Sequence, residues 1–314
     1  MRKWFLLFAA SILTVVACGA RTGLRVDERH ADAGPDPVDA GPDVEDAADV
    51  FDAPEEPDVI DPFPDVANDC IDAGITYIYL ISSENELLRF YPPDLSVTTI
   101  GTINCPASSG ANPFSMAVDR QGVAHVLFSN GELFRVSTLT ASCKSTGFVS
   151  QQGGFPLTFG MGFSSNKDDP GETLFVAGAD TAGGSSAIGS IDLTTFTLST
   201  IGLVSAPIGN PELTGTGDSR LFGFGPTAPN AHLAEIDKAT AAITNDVLLN
   251  LDQSNIDAWA FAFWGGDFYF FTSESQGTSI VHRYTPGGTK TPPAVAVIDL
   301  TIVGAGVSTC APSE

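Results

Sequence analysis

Five short segments of this chain share one form, a bulky residue followed by small residues at alternate positions. They are Phe114-Ser-Met-Ala-Val, Phe159-Gly-Met-Gly-Phe, Leu213-Thr-Gly-Thr-Gly, Trp259-Ala-Phe-Ala-Phe and Val303-Gly-Ala-Gly-Val. Their first residues lie 45, 54, 46 and 44 positions apart. Alternate residues of a strand share one face, so each segment reads as a strand with one face trimmed to Gly, Ala, Ser or Thr. A face that small is needed where several strands crowd towards a common axis. A period of this length is the mark of an array of like units.

The residues between the copies repeat as well. Second strands are predicted at Val123–Phe128, Thr173–Val176, Arg220–Phe224 and Phe268–Thr272. Third strands follow at Leu88-Arg-Phe, Phe134-Arg-Val, Gly189-Ser-Ile, Ala234-Glu-Ile and His282-Arg-Tyr, each before a turn such as Pro92-Pro-Asp or Pro286-Gly-Gly. A fourth, weaker strand completes each unit. The first unit opens at Thr76-Tyr-Ile-Tyr-Leu-Ile, which reads as a second strand, and the fifth small-residue segment has no strands after it. One end of the chain thus supplies what the other lacks, and pairing the segment around Gly304 with the first unit closes a ring without open edges.

Four antiparallel strands per unit of this length is the blade of a β-propeller. The stretch from about Ile75 to Cys310 resembles the broad repeat class that includes the WD40 and NHL propellers. No blade carries a Trp-Asp signature or an Asp-box. The expectation is an all-β, five-bladed propeller over 70–314. A six-bladed ring with a degenerate blade between Phe159 and Leu213 is the alternative, and a β-sandwich would leave the small-residue period without a reason.

The N-terminus has its own grammar. Arg2 and Lys3 precede an apolar run from Trp4 to Val16, too short for a comfortable membrane span and suited to a signal-peptide core. The run ends in Val15-Val16-Ala17-Cys18, which resembles the lipobox of bacterial lipoproteins. The resemblance implies cleavage after residue 17, a diacylglycerol on the Cys18 thiol and an acyl chain on its new amino group. Two or more chains make such an anchor stable. In that family Asp after the cysteine often retains the protein in the inner membrane. Gly19 stands there instead, which implies the outer membrane or cell surface of a Gram-negative bacterium.

Residues 18–69 read as an acidic tether. Of the 38 acidic residues of the chain, 17 lie between Asp27 and Asp72, among prolines at 35, 37, 42, 54, 57, 62 and 64. Proline blocks helix and sheet ladders, and like charges extend a chain that has almost no aromatic residue to bury. No stretch has the Asp-x-Asp-x-Asp-Gly order of a calcium loop. A net charge of −24 leaves no basic footprint for nucleic acid.

Beyond Cys18 the cysteines are 70, 105, 143 and 310. An even number in an exported chain suggests two disulfides. Cys70 and Cys310 flank the propeller and would lock its ring. Cys105 with Cys143 follows by elimination, although simple topology puts them at opposite ends of their strands. Free or metal-binding thiols are the alternative, and no CxxC spacing supports zinc.

No catalytic constellation, cofactor motif or metal set stands out. His125, His232 and His282 fall in separate blades, and Asp119 and Asp218 read as turn residues. The loops of the opposite face, among them Ser150–Thr158, Ala206–Glu212 and Asp252–Asp257, are rich in Ser, Gly and Asn. Glu212 and Asp257 directly precede innermost strands, which makes them candidates for the mouth of the axial channel. The expected function is a non-catalytic module that binds protein or glycan through this face, on a protein attached to the membrane by its lipid. A propeller-type carbohydrate-active enzyme, with paired carboxylates, and a structural envelope protein without a ligand are the alternatives.

Overall fold

The protein was analysed as a computed structural model, which describes residues 76–314 apart from 180–185, 207, 228, 253 and 276. The signal sequence, Cys18, the tether and Cys70 lie outside the described residues. Twenty strands form five antiparallel four-stranded sheets, and no α-helix occurs among the described residues.

Blade 1 contains β1 (Ile78–Ser82), β2 (Glu86–Tyr91) and β3 (Ser96–Thr102). Blade 2 is β4 (Pro113–Val118), β5 (Val123–Phe128), β6 (Leu133–Ser137) and β7 (Cys143–Ser145). Blade 3 is β8 (Gly160–Ser165), β9 (Glu172–Ala179), β10 (Ser186–Asp192) and β11 (Thr197–Leu203). Blade 4 is β12 (Glu212–Gly215), β13 (Leu221–Thr227), β14 (Asn230–Ile236) and β15 (Ile243–Leu249). Blade 5 is β16 (Ala258–Trp264), β17 (Asp267–Ser275), β18 (Thr278–Tyr284) and β19 (Ala294–Ile298). The last strand, β20 (Ile302–Gly306), pairs with β1, Gly304 opposite Ile81 and Gly306 opposite Tyr79. The ring closes as the unpaired ends of the repeat predict, with five blades. The wide spacing between Phe159 and Leu213 is taken up inside blade 3, whose β9 runs to eight residues.

Each junction between neighbouring blades has its own apolar cluster. The junction of blades 4 and 5 is the most aromatic. Phe224 and Phe270 lie 4.5 Å apart there, and Phe222 and Phe268 4.8 Å. Burying a side chain of this size is worth about 1.5–3 kcal/mol, so the five junctions together hold the ring.

The small-residue faces all turn the same way. Ala260 and Ala262 of β16 join the cluster shared with blade 1, while Phe261 and Phe263 face back to blade 4. A methyl group on Gly162 would lie 2.7 Å from the backbone of Leu213 in the next blade. One on Gly304 would lie 2.8 Å from the backbone nitrogen of Met116. Near the axis the inner strands approach backbone to backbone, and only one of two facing surfaces has room for a large side chain.

The turns that end the third strands share a device. Asp192 Oδ1 accepts the backbone N–H groups of Thr194 and Thr195, both at 2.8 Å. Asp237 does the same for Ala239 and Thr240 at 3.0 and 2.8 Å. Phe196 and Ala241 then take positive φ at the corresponding place, and Ala141 does so in a turn where Ser137 Oγ is the acceptor instead. Carboxylate capping holds a backbone that glycine would otherwise be recruited to provide.

Cys105 and Cys143 form a disulfide with their Cα atoms 5.0 Å apart. Cys105 lies on the connection from β3 to β4, and that connection carries it to the start of β7. Reasoning from strand directions alone placed the two apart because it did not follow the connection. Cys310 is also disulfide-bonded, and its expected partner, Cys70, lies outside the described residues.

Candidate functional site: the mouth of the axis

The innermost strands contact one another in the order β20, β4, β8, β12, β16 and back to β20. At mid-height their residues are shut off from solvent: Met116, Met161, Ala260 and Ala262 are fully buried, and Thr214 and Ala305 nearly so. The axis is therefore closed below. At the end where the inner strands begin, the ring opens into a cavity of about 430 Å³, to which every inner strand contributes. That volume falls within the range of small-molecule sites.

The cavity has two unlike sides. Phe114, Val303 and Trp259 stand on blades 2, 1 and 5, which are neighbours in the ring, and form an apolar wall. Phe114 owes its position to a bulge. Pro113 pairs with Phe128 and Ser115 with Leu127, so Phe114 is left over and 37% exposed, although its bulk suits a core. On the other side, Thr158, Asn210 and Glu212 of blades 3 and 4 bring polar groups, set among Pro156, Phe159, Ala177 and Pro211. Asp257 lines the cavity two residues before Trp259, its backbone N–H donating to Ser273 O at 2.8 Å. Both mouth candidates thus line one cavity. No Lys, Arg or His lines it.

Glu212 opens β12 on that strand's small-residue face. The corresponding positions of the other blades hold Pro113, Thr158, Ala258 and Ile302. It is buried, and Ser115 Oγ donates to its Oε2 at 2.7 Å. Burial pushes its carboxyl from 4.5 up to about 8, against the lowering effect of the Ser115 hydroxyl and the Met161 backbone N–H. With no cation beside it, the group keeps its proton at neutral pH and both donates and accepts hydrogen bonds.

The far end of the axis is filled instead. Arg120 donates from its backbone N–H to Glu172 Oε1 at 2.6 Å, from Nε to Thr309 Oγ1 at 2.7 Å and from its guanidinium to Ser165 Oγ at 2.5 Å. Thr309 in turn donates from its hydroxyl to Glu172 Oε2 at 2.7 Å, linking arginine to carboxylate. Burial raises Glu172 to about 7 in spite of these bonds. Lys238 reaches in from blade 4 to the Ser165 carbonyl at 2.6 Å. Asp119 closes its own turn by accepting the N–H groups of Gln121 and Val123, and its Oδ2 lies 3.2 Å from His125 Nε2. Asp218 likewise serves its turn, bonded to the Thr216 hydroxyl.

The three histidines of the propeller stay apart. His125 is buried against Phe163, His232 contacts Asp246 at 2.8 Å, and His282 contacts the Pro292 carbonyl at 3.3 Å. Among the described residues no three His, Cys, Asp or Glu side chains cluster to hold a metal ion. The sequence reading did not single out Phe114 or Trp259 as cavity walls, because a bulky residue opening an inner strand reads as core. Nor did it single out Ser115, whose partner lies 97 residues away.

No family model matches the chain, and no curated protein matches it. Solved structures share the general architecture. The crystal structure of a nidogen/laminin complex has 10% identity and a TM-score of 0.46, over 76% of this chain and 100% of that one. The Dos1 propeller has 12% identity and a TM-score of 0.37, over 72% and 56%. The Bacteroides ovatus xyloglucan PUL GH43B has 15% identity and a TM-score of 0.44, over 59% and 40%. At these values the likenesses carry nothing about ligand or activity, and the chain's own strand pairing establishes the fold: it is a five-bladed β-propeller.

Proposed function

We propose that this protein is a lipid-anchored binding module of the outer membrane or cell surface, and that the cavity at the mouth of the axis is its ligand site. The observation that carries the reading is that cavity: open on one face, closed at mid-height, and built by all five inner strands. The far end, by contrast, is occupied by its own side chains. The lipobox at Val15–Cys18 supports an anchor on Cys18, and the acidic tether of 18–69 supports display at a distance from the membrane.

A second reading, a carbohydrate-active enzyme, has one observation in its favour. Glu212 and Asp257 line the same cavity, and Glu212 holds a proton that a general acid would need. Release of nitrophenol from aryl glycosides by the wild type, abolished in Glu212→Gln, would establish it.

Two experiments test the binding module. Metabolic labelling with an alkyne fatty acid in a Gram-negative host is expected to mark the wild-type chain and leave Cys18→Ala unmarked. Equal labelling of both excludes the anchor. A fragment library screened by ligand-observed NMR is expected to lose its hits when Ala258→Trp fills the cavity. Hits that persist in that variant place the site elsewhere.

A further inference from the structure

At the far end Glu172, Arg120 and Asp119 bond to their own neighbours, so the mouth cavity is where the chemistry of a ligand can be specified. From an apolar wall of Phe114, Trp259 and Val303 facing the hydrogen-bonding groups of Thr158, Asn210 and Glu212, above a closed axis, we infer that the cavity takes the terminal ring of an uncharged glycan. The inference rests on the reading of the cavity as the binding site, and deepens it.

Three features select this class. A pyranose presents a face of C–H groups and an edge of hydroxyls. The indole of Trp259, with Phe114 and Val303, supplies the apolar wall that such a face covers, while Thr158, Asn210 and Glu212 on blades 3 and 4 meet the hydroxyl edge. Aromatic side chains give large contact area in a fixed geometry, and Phe114 is held out into the cavity by its bulge.

The second feature is charge. The lining holds two acids and no base, so a carboxylated, sulfated or phosphorylated ligand has nothing to pair with and would meet Asp257. A carboxyl that keeps its proton can give a hydrogen bond to one hydroxyl oxygen and accept one from another, which an ionised carboxylate cannot do. The third feature is depth. Buried Met116, Met161, Thr214 and Ala305 close the axis beneath the cavity. A long chain therefore cannot thread through, and what enters must be an end.

The test uses the full-length protein in detergent, with cellotriose, xylotriose and maltotriose as neutral probes and choline as a cationic one, followed by saturation-transfer NMR. At least one trisaccharide is expected to bind, with saturation concentrated on one terminal ring. Trp259→Ala should weaken it about tenfold, a loss of the size expected for a stacking contact. Wild-type affinity should fall above a pH of about 8, where Glu212 ionises, and Glu212→Gln should remove that fall.

Binding of none of the three trisaccharides, saturation centred on an internal ring, or choline binding in their place with the same dependence on Trp259 overturns the inference. If fragments still lose their hits in Ala258→Trp while no sugar binds, the assignment to glycan fails alone. If those hits survive, the cavity itself is not the site.

Discussion

The two ends of the propeller axis both bury an acid whose affinity for protons is raised, and they treat it in opposite ways. At the far end Glu172 receives a backbone N–H, a threonine hydroxyl and, through that threonine, an arginine. Those partners come from blade 2 and the segment after β20, and the acid itself from blade 3, so it fastens the closed ring. At the mouth Glu212 receives the Ser115 hydroxyl and the Met161 backbone N–H, with no basic side chain behind them, and faces a cavity. A buried polar group costs stability unless it is fully bonded. An acid beside an open volume can offer its remaining hydrogen-bonding capacity to a group from outside the chain, as we propose for Glu212. The comparison teaches that burial and a raised pKa do not mark a site on their own; what differs is that Arg120 and Thr309 close in one acid while an open cavity lies beside the other.

The largest effect expected from breaking this contrast is at the far end. Arg120→Ala removes bonds to Ser165, Pro170 and Thr309 and leaves Glu172 buried. Breaking a buried charged network of this kind costs about 3 kcal/mol, read as a shift in the denaturant midpoint with binding at the mouth unchanged. A loss below about 1 kcal/mol, the range of a surface pair, would show the network to be decorative.

Of comparable size is the pH dependence set by Glu212, since a rise from 4.5 to about 8 amounts to several kcal/mol across the full window. In the folded chain it holds its proton up to about 8, against 4.5 in the ordinary state. Folding therefore takes up a proton between those values, and stability falls as pH rises through that window. Glu212→Gln lacks this loss, so its melting temperature should gain on the wild type steadily from pH 5 to pH 8. Glu172 titrates with the same sign but is present in both proteins and cancels. Parallel melting curves across the window would mean that Glu212 is not held in its neutral form.

The smallest effect on stability is expected for Trp259→Ala. The side chain lines the cavity and is only half-buried, so its removal should cost about 1 kcal/mol, well under the loss for a core aromatic, while binding weakens. A core-sized loss would return Trp259 to the scaffold and sharpen the boundary of the site.

Much of the architecture was legible without coordinates because its constraint is periodic. Ala260 and Ala262, or Gly160 and Gly162, are small for a reason that recurs at each inner strand, and recurrence is visible in a string of letters. The closing pair was legible too, since a strand missing from one end and an orphan at the other have one economical solution. The site was only half legible. Glu212 and Asp257 could be named from their place ahead of inner strands. The wall of Phe114 and Trp259 could not, because a bulge of one residue turns Phe114 to the cavity, and Trp259 reaches it only through the convergence of strand ends. The state of Glu212 depends on Ser115, Met161 and the absence of bases around it. None of these is near it in the chain.

Local sequence by itself determined the strands, the blade period, the ring closure and the turn chemistry of Asp192 and Asp237, because each rests on residues a few positions apart or on a pattern repeated through the chain. The tertiary structure alone decided that the axis is shut at mid-height, that its mouth has an apolar and a polar side, and that Cys105 reaches Cys143. Those properties come from bringing five distant strand ends to one point. The electrostatics of a buried group are the sum over everything that surrounds it, whatever its distance along the chain.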